Sequence, residues 1–129
     1  MSIDPLVLLA VAGGGGLGGM ARLAVGNLVA RWLDAGLPWG TLVVNLSGAL
    51  LMGLAAGVLG LPGREAGLAW PLLAIGLLGG YTTVSSFSLQ TLTLWQQRRR
   101  AAAVGYVALT LGAGGAALPA GVWLAGGLP

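Results

Sequence analysis

Cysteine and histidine are both absent from these 129 residues, and so is lysine. Without cysteine there is no disulfide framework and no thiolate chemistry. Without histidine the chain lacks the commonest metal ligand and the commonest general base. Charge is scarce as well: six arginines and three acids make up 7% of the residues, against about 25% in a soluble domain. With 57% apolar residues and a mean hydropathy of +0.91, too few polar side chains remain to cover a small globule. The sequence pI near 10.7 reflects a net charge of only +3, with no basic stripe to follow a phosphate backbone. These absences exclude a soluble enzyme, a disordered segment and a nucleic-acid-binding module. A multi-pass membrane protein without catalytic residues is what the composition permits.

The few charges divide the chain into long neutral stretches. Asp4 to Arg22 encloses 17 uncharged residues, Asp34 to Arg64 encloses 29, Glu65 to Arg98 encloses 32, and 29 follow Arg100. A helix needs about 20 mostly apolar residues to cross a bilayer core, so each stretch holds one span. This places four spans near residues 5–26, 39–60, 69–97 and 101–125, in one transmembrane domain covering 1–129. Pro5 suits a first helical turn, Pro38-Trp39 and Trp70-Pro71 open spans two and three, and Leu61-Pro62-Gly63 is a turn signal between them. Arg31 and Arg98–Arg100 follow spans one and three, with Arg22 just inside, whereas only Arg64 lies on the opposite side. Taken alone, that bias turns both termini outward.

Glycine is abundant, at 25 residues, in clusters such as Gly13–Gly16, Gly18-Gly19 and Gly79-Gly80. Small-xxx-small spacings recur at Gly14/Gly18, Gly15/Gly19, Gly53/Gly57 and Gly76/Gly80, and in lipid they let helices approach backbone to backbone. Four short helices enclose little space, so a dimer or larger assembly is expected. In span three, Gly79-Gly80-Tyr81-Thr82-Thr83-Val84-Ser85-Ser86 weakens a helix with glycine and with hydroxyls that compete for the backbone. Two outcomes stand open here. One is a broken helix whose freed carbonyls line a cavity and coordinate a cation; the other is an unbroken helix whose hydroxyls bond back to the preceding turn.

The polar groups at membrane depth are neutral. They include Asn27, Thr41, Asn45, Ser47, Thr82, Thr83, Ser85, Ser86, Ser88, Gln90, Thr91, Thr93, Tyr106 and Thr110. Proton-coupled transport needs an ionisable acid or histidine within the membrane, and Asp4, Asp34 and Glu65 all fall at span ends. A small drug/proton transporter therefore fits poorly. Neutral donors suit a small anion: the Asn45 amide offers two N–H groups, hydroxyls rotate to donate, and the Phe87 ring has an electropositive edge. Neutral donors also bind weakly enough for an ion to leave. A non-conducting helical assembly subunit, explained by glycine packing alone, is the other alternative.

Three segments carry a resemblance. Gly15-Gly16-Leu17-Gly18-Gly19-Met20-Ala21-Arg22 is similar to the glycine-rich run ending in arginine of the Fluc/CrcB fluoride channels. Gly40-Thr41-Leu42-Val43-Val44-Asn45-Leu46-Ser47-Gly48 resembles that family's GTLxVNxxG signature, and Gly76 to Ser88 resembles GxxGGxTTFSTFS. The resemblance implies an all-α membrane protein of four helices, the third broken near its middle, assembled as an antiparallel dual-topology homodimer in a bacterial inner membrane. It implies passive fluoride export that relieves toxicity. By the same resemblance, Asn45, Phe87, Ser85, Ser88, Tyr106 and Thr110 line the fluoride pathway, and Arg22 stands at the vestibule. The backbone carbonyls of Gly79 and Thr82 from both subunits would hold one structural Na⁺ at the dimer interface. Val84 stands where the family has phenylalanine, and Gln90 where it favours glutamate. The missing ring at Val84 makes a heterodimer with a sister subunit the alternative to the homodimer.

Overall fold

The computed structural model describes residues 4–33, 37–59 and 67–126. Six helical segments follow one another: α1 (Pro5–Trp32), α2 (Trp39–Leu59), α3 (Trp70–Leu78), α4 (Gly79–Tyr81), α5 (Val84–Gln96) and α6 (Arg100–Leu124). Among the described residues there is no strand. Taking α3 to α5 together, four helices are long and apolar enough to cross a membrane. Helices suit that environment because every backbone group inside lipid must find a partner within its own segment.

Local chemistry sets the ends. Asp4 caps α1 by accepting the Leu6 N–H at 2.9 Å, and Pro5 occupies a first-turn position whose N–H would be unused anyway. The first helix continues to Trp32, past residue 26, and the Leu33 N–H still reaches the Val29 carbonyl at 2.8 Å. Gly26 and Asn27 are weak helix formers, and the cooperativity of the turns on either side carries the helix through them. α3 is wound as a π-helix, a rare form that concentrates at functional sites. At its end the Gly79 N–H reaches back to the Ala74 carbonyl.

Between α4 and α5 the backbone is extended, with φ/ψ of −79°/157° at Thr82 and −148°/126° at Thr83. Thr83 then caps α5, its Oγ1 accepting the Ser86 N–H at 3.1 Å.

Glycine sets the packing of the helix pairs. A Cβ on Gly14 or Gly18 would overlap the Leu72 or Leu77 carbonyl oxygen, so α1 lies backbone to backbone along α3 and α4. Gly53 and Gly121 do the same for α2 and α6, against the Leu118 and Leu50 carbonyls. The contacts of Gly14 with Gly76 and Gly18 with Tyr81 run in the same direction along both helices, so α1 and the third span are parallel. Gly40 approaches Gly26, placing the start of α2 beside the last turns of α1. One end of the bundle thus gathers the C-terminal end of α1, the N-terminal end of α2 and the α5–α6 corner.

Large apolar side chains point outward: Leu9 is 68% exposed, Met20 70% and Val84 77%. A soluble monomer does not leave such a surface open; a bilayer or a second chain covers it. Among the described buried residues, Leu42, Leu94, Ala103 and Tyr106 form one core cluster, with Leu37, Trp39, Leu46, Phe87 and Ala102 packed against it.

Candidate functional site

The centre of the polar seam is a reciprocal pair of hydrogen bonds between α2 and the extended residues. Asn45 Nδ2 donates to the Thr83 carbonyl at 2.8 Å, and the Thr83 N–H donates to Asn45 Oδ1 at 2.8 Å. Thr83 is buried, and its Oγ1 also lies 3.2 Å from Ser85 Oγ. One of the two Asn45 N–H groups is spent on this pair.

The extended backbone has a further consequence. In a continuous helix the Thr83 N–H would bond the Gly79 carbonyl and the Ser86 N–H would bond the Thr82 carbonyl. Here the first goes to Asn45 Oδ1 and the second to Thr83 Oγ1. The Gly79 and Thr82 carbonyls thereby lose their helical donors. On its N–H side Thr82 remains tied to the helix: its N–H and its Oγ1 both donate to the Leu78 carbonyl, at 3.0 and 3.1 Å. Ser47 Oγ lies 2.9 Å from the Tyr81 hydroxyl and also donates to the Val44 carbonyl, bracing α2 against α4.

Two open cavities meet at this pair. The larger, about 730 Å³, is lined by Arg22, Asn27, Trp39, Thr41, Thr83, Ser85, Ser86 and Gln90 among others. The smaller, about 320 Å³, is lined by Asn45, Met52, Thr82, Thr83, Val84 and Gly114 among others. Thr83 faces both, so the Asn45–Thr83 pair stands in the wall between them.

The remaining candidates fall in a second group. Phe87 lies with its ring centre 5.3 Å from that of Tyr106, the planes tilted by 44°. The Tyr106 hydroxyl donates to Gln90 Oε1 at 3.2 Å, and Tyr106 is only 2% exposed. Thr110 follows Tyr106 by one turn on α6, and its Oγ1 is buried without a hydrogen-bond partner. Ser85 and Ser88 are exposed on α5. Within one chain, then, Arg22 and Ser85 share the larger cavity and Asn45 borders the smaller, while Phe87, Ser88, Tyr106 and Thr110 border neither.

Thr83 is the residue that reading by side-chain type undervalues. It counts as one hydroxyl among many, yet it lines both cavities, caps α5 and pairs with Asn45. The available signal is a threonine standing immediately before an apolar helical run, the pattern of an N-cap. Trp39 Nε1, also buried and unpartnered, has no such signal.

The comparisons with known proteins agree with one another. Residues 9–122 match the family described as CrcB-like protein, Camphor Resistance (CrcB). The "Fluoride-specific ion channel FluC" of Paracoccus denitrificans is 47% identical over 120 residues, 93% of this chain and 94% of that protein. That of Nitrobacter winogradskyi is 43% identical over 110 residues, 82% of this chain and 87% of that protein. The "Fluoride-specific ion channel FluC 2" of Bradyrhizobium diazoefficiens is 42% identical over 123 residues, 94% of this chain and 90% of that protein. With a family match over nearly its whole length and relatives at this identity, the chain belongs to the CrcB family.

Proposed function

We propose that this chain forms a fluoride-selective channel that lets fluoride leave a bacterial cytoplasm passively across the inner membrane, limiting its toxicity. The observation that carries the reading is the run of relatives named fluoride-specific ion channels, 42–47% identical over most of both chains. The seam supports it chemically. Among the described residues the only acid is Asp4, at the start of α1, so the seam offers an anion neutral donors and no competing negative charge. That charge pattern gives a drug/proton transporter no intramembrane carboxylate to load and unload.

Fluoride loses a tightly held hydration shell on entering, and donors must replace it. The second Asn45 N–H, the Ser85 and Ser88 hydroxyls and the unspent Thr110 hydroxyl supply such donors on this chain. Phe87 would present its ring edge, held at its tilt by Tyr106. Arg22, beside the larger cavity, would raise the local anion concentration at the mouth.

The assembly we propose is an antiparallel dual-topology homodimer of one four-span domain per chain, the third span crossing as two helical pieces around Thr82–Thr83. The separation of Asn45 from Phe87, Ser88 and Thr110 into different surroundings supports a pathway completed by a second copy. For a structural Na⁺, the Gly79 and Thr82 carbonyls fit: they are hard oxygen donors, and their helical N–H partners are spent elsewhere. The two carbonyls would offer such an ion their partial negative charge. Val84, 77% exposed beside Ser85, favours one second reading, a heterodimer whose sister subunit supplies the missing ring.

The test is ion efflux from liposomes holding this protein alone. Fluoride release without chloride release is the expected result. Equal release of both ions overturns selectivity, and no release from folded protein overturns the homodimer and calls for co-reconstitution with a sister chain.

A further inference from the structure

The corner between α5 and α6 carries a backbone feature that the channel reading does not use. Only three described residues have positive φ: Gly67 at 61°, Gly126 at 77° and Arg98 at 62°. The left-handed region costs an L-residue a clash between Cβ and backbone that glycine avoids. At Arg98 the conformation closes α5. The Arg98 N–H donates to the Trp95 carbonyl at 3.1 Å and the Arg99 N–H to the Leu94 carbonyl at 2.9 Å, the paired bonds of a Schellman turn. Glycine is the usual residue at that position. At the end of α6 this same chain uses it, Gly126 donating to the Trp123 carbonyl at 2.9 Å.

A sequence with 25 glycines thus places arginine where glycine would relieve the backbone. A strained residue that persists points to a use for its side chain. The surroundings say which use. Arg98, Arg99 and Arg100 are consecutive and exposed, and the turn holds them on a rigid corner at the end of a membrane-crossing helix. The Arg100 guanidinium lies 5.0 Å from the centre of the Trp95 ring, and Trp95 is 46% exposed. A tryptophan with a cation stacked on it suits the headgroup level of a bilayer. Arginine forks match phosphate oxygens, and clustered arginines at a helix end attract anionic lipid.

We infer that the Trp95–Arg100 corner is a binding site for the phosphate of an anionic phospholipid headgroup, with Arg98 and Arg100 as its phosphate ligands. The site is independent of the fluoride reading: it needs neither flux nor a particular partner subunit.

Native mass spectrometry of the full-length protein in neutral detergent tests it, with phosphatidylglycerol or phosphatidylcholine added. Each arginine near an anionic headgroup is worth about a fivefold preference, so the two together give roughly 25-fold greater retention of phosphatidylglycerol. Arg98→Gly should lose about fivefold of that preference, while its thermal midpoint in lipid-free detergent stays equal or rises, because glycine relieves the turn. R98Q/R100Q should bind both lipids alike. Equal retention of the two lipids by the unaltered protein overturns the proposal, as does an R98G protein that keeps full phosphatidylglycerol retention. An R98G protein that melts earlier overturns it by making Arg98 a structural residue. Loss of the lipid on adding excess inorganic phosphate overturns the lipid as occupant and marks a general anion site.

Discussion

At the scale of single residues, Asn45 holds two positions together. Its amide satisfies both the N–H and the carbonyl of buried Thr83. Asn45→Ala strands both backbone groups, and each unsatisfied buried group costs about 1–3 kcal/mol. The expected outcome is a loss of roughly 2–6 kcal/mol in stability, read as a clear fall in the thermal midpoint in detergent, together with loss of fluoride flux. Asn45→Asp separates the two roles. It keeps an acceptor for the Thr83 N–H but places negative charge on the proposed pathway, so flux should fall even in protein that still folds. Val84 offers the opposite experiment. At 77% exposure it has room for a larger side chain without displacing anything in its own chain. Val84→Phe should therefore fold normally and raise fluoride efflux in the liposome assay. An unchanged rate would show that one ring per pathway suffices.

At the scale of elements, glycine positions decide which helices touch. Gly18 and Gly16 lie two residues apart on α1, yet a Cβ at Gly18 would meet the Leu77 carbonyl and a Cβ at Gly16 would meet nothing within 4 Å. Gly18→Ala should push α1 from α3 and α4 and cost about 1–3 kcal/mol, as overpacking does. Gly16→Ala should be neutral or stabilise by up to about 1 kcal/mol through helix propensity. Thermal unfolding of the two variants in one detergent checks the contrast. Both residues belong to the same glycine cluster, so residue type does not tell them apart. Spacing helps somewhat: Gly14/Gly18, Gly53/Gly57 and Gly76/Gly80 all make close contacts, whereas the run Gly112 to Gly115 lies in open space or ordinary contact. The extended pair Thr82–Thr83 lies within the Gly79–Ser86 segment whose composition already weakens a helix, but which of its residues leave the helix depends on Asn45 from a different element.

At the scale of the whole molecule, the absence of an intramembrane acid from the described helices predicts transport without proton exchange. Arginine keeps its charge throughout the accessible range, so fluoride efflux should hold constant between about pH 7 and pH 9 with no accompanying proton flow. Simultaneous recording with a fluoride electrode and a vesicle-trapped pH dye measures both. A proton movement matched to the fluoride movement would return the drug/proton class to consideration.

Much of this protein is legible in its sequence. Three apolar stretches between charged residues and a fourth after Arg100 follow from the one-dimensional spacing of charge, because charge within hydrocarbon is costly and therefore rare. The family motifs are likewise linear, Gly40 to Gly48 and Gly76 to Ser88. Only the tertiary structure decided that Asn45 and Thr83 satisfy each other, that the Gly79 and Thr82 carbonyls lose their helical donors, and that Thr83 stands between two cavities. Those facts depend on partners 38 residues apart in sequence, and such a hydrogen bond leaves no periodic trace. The same holds at Arg98. Three consecutive arginines can be read off the chain, but the positive φ that gives the first of them its interest arises from how one helix ends and the next begins.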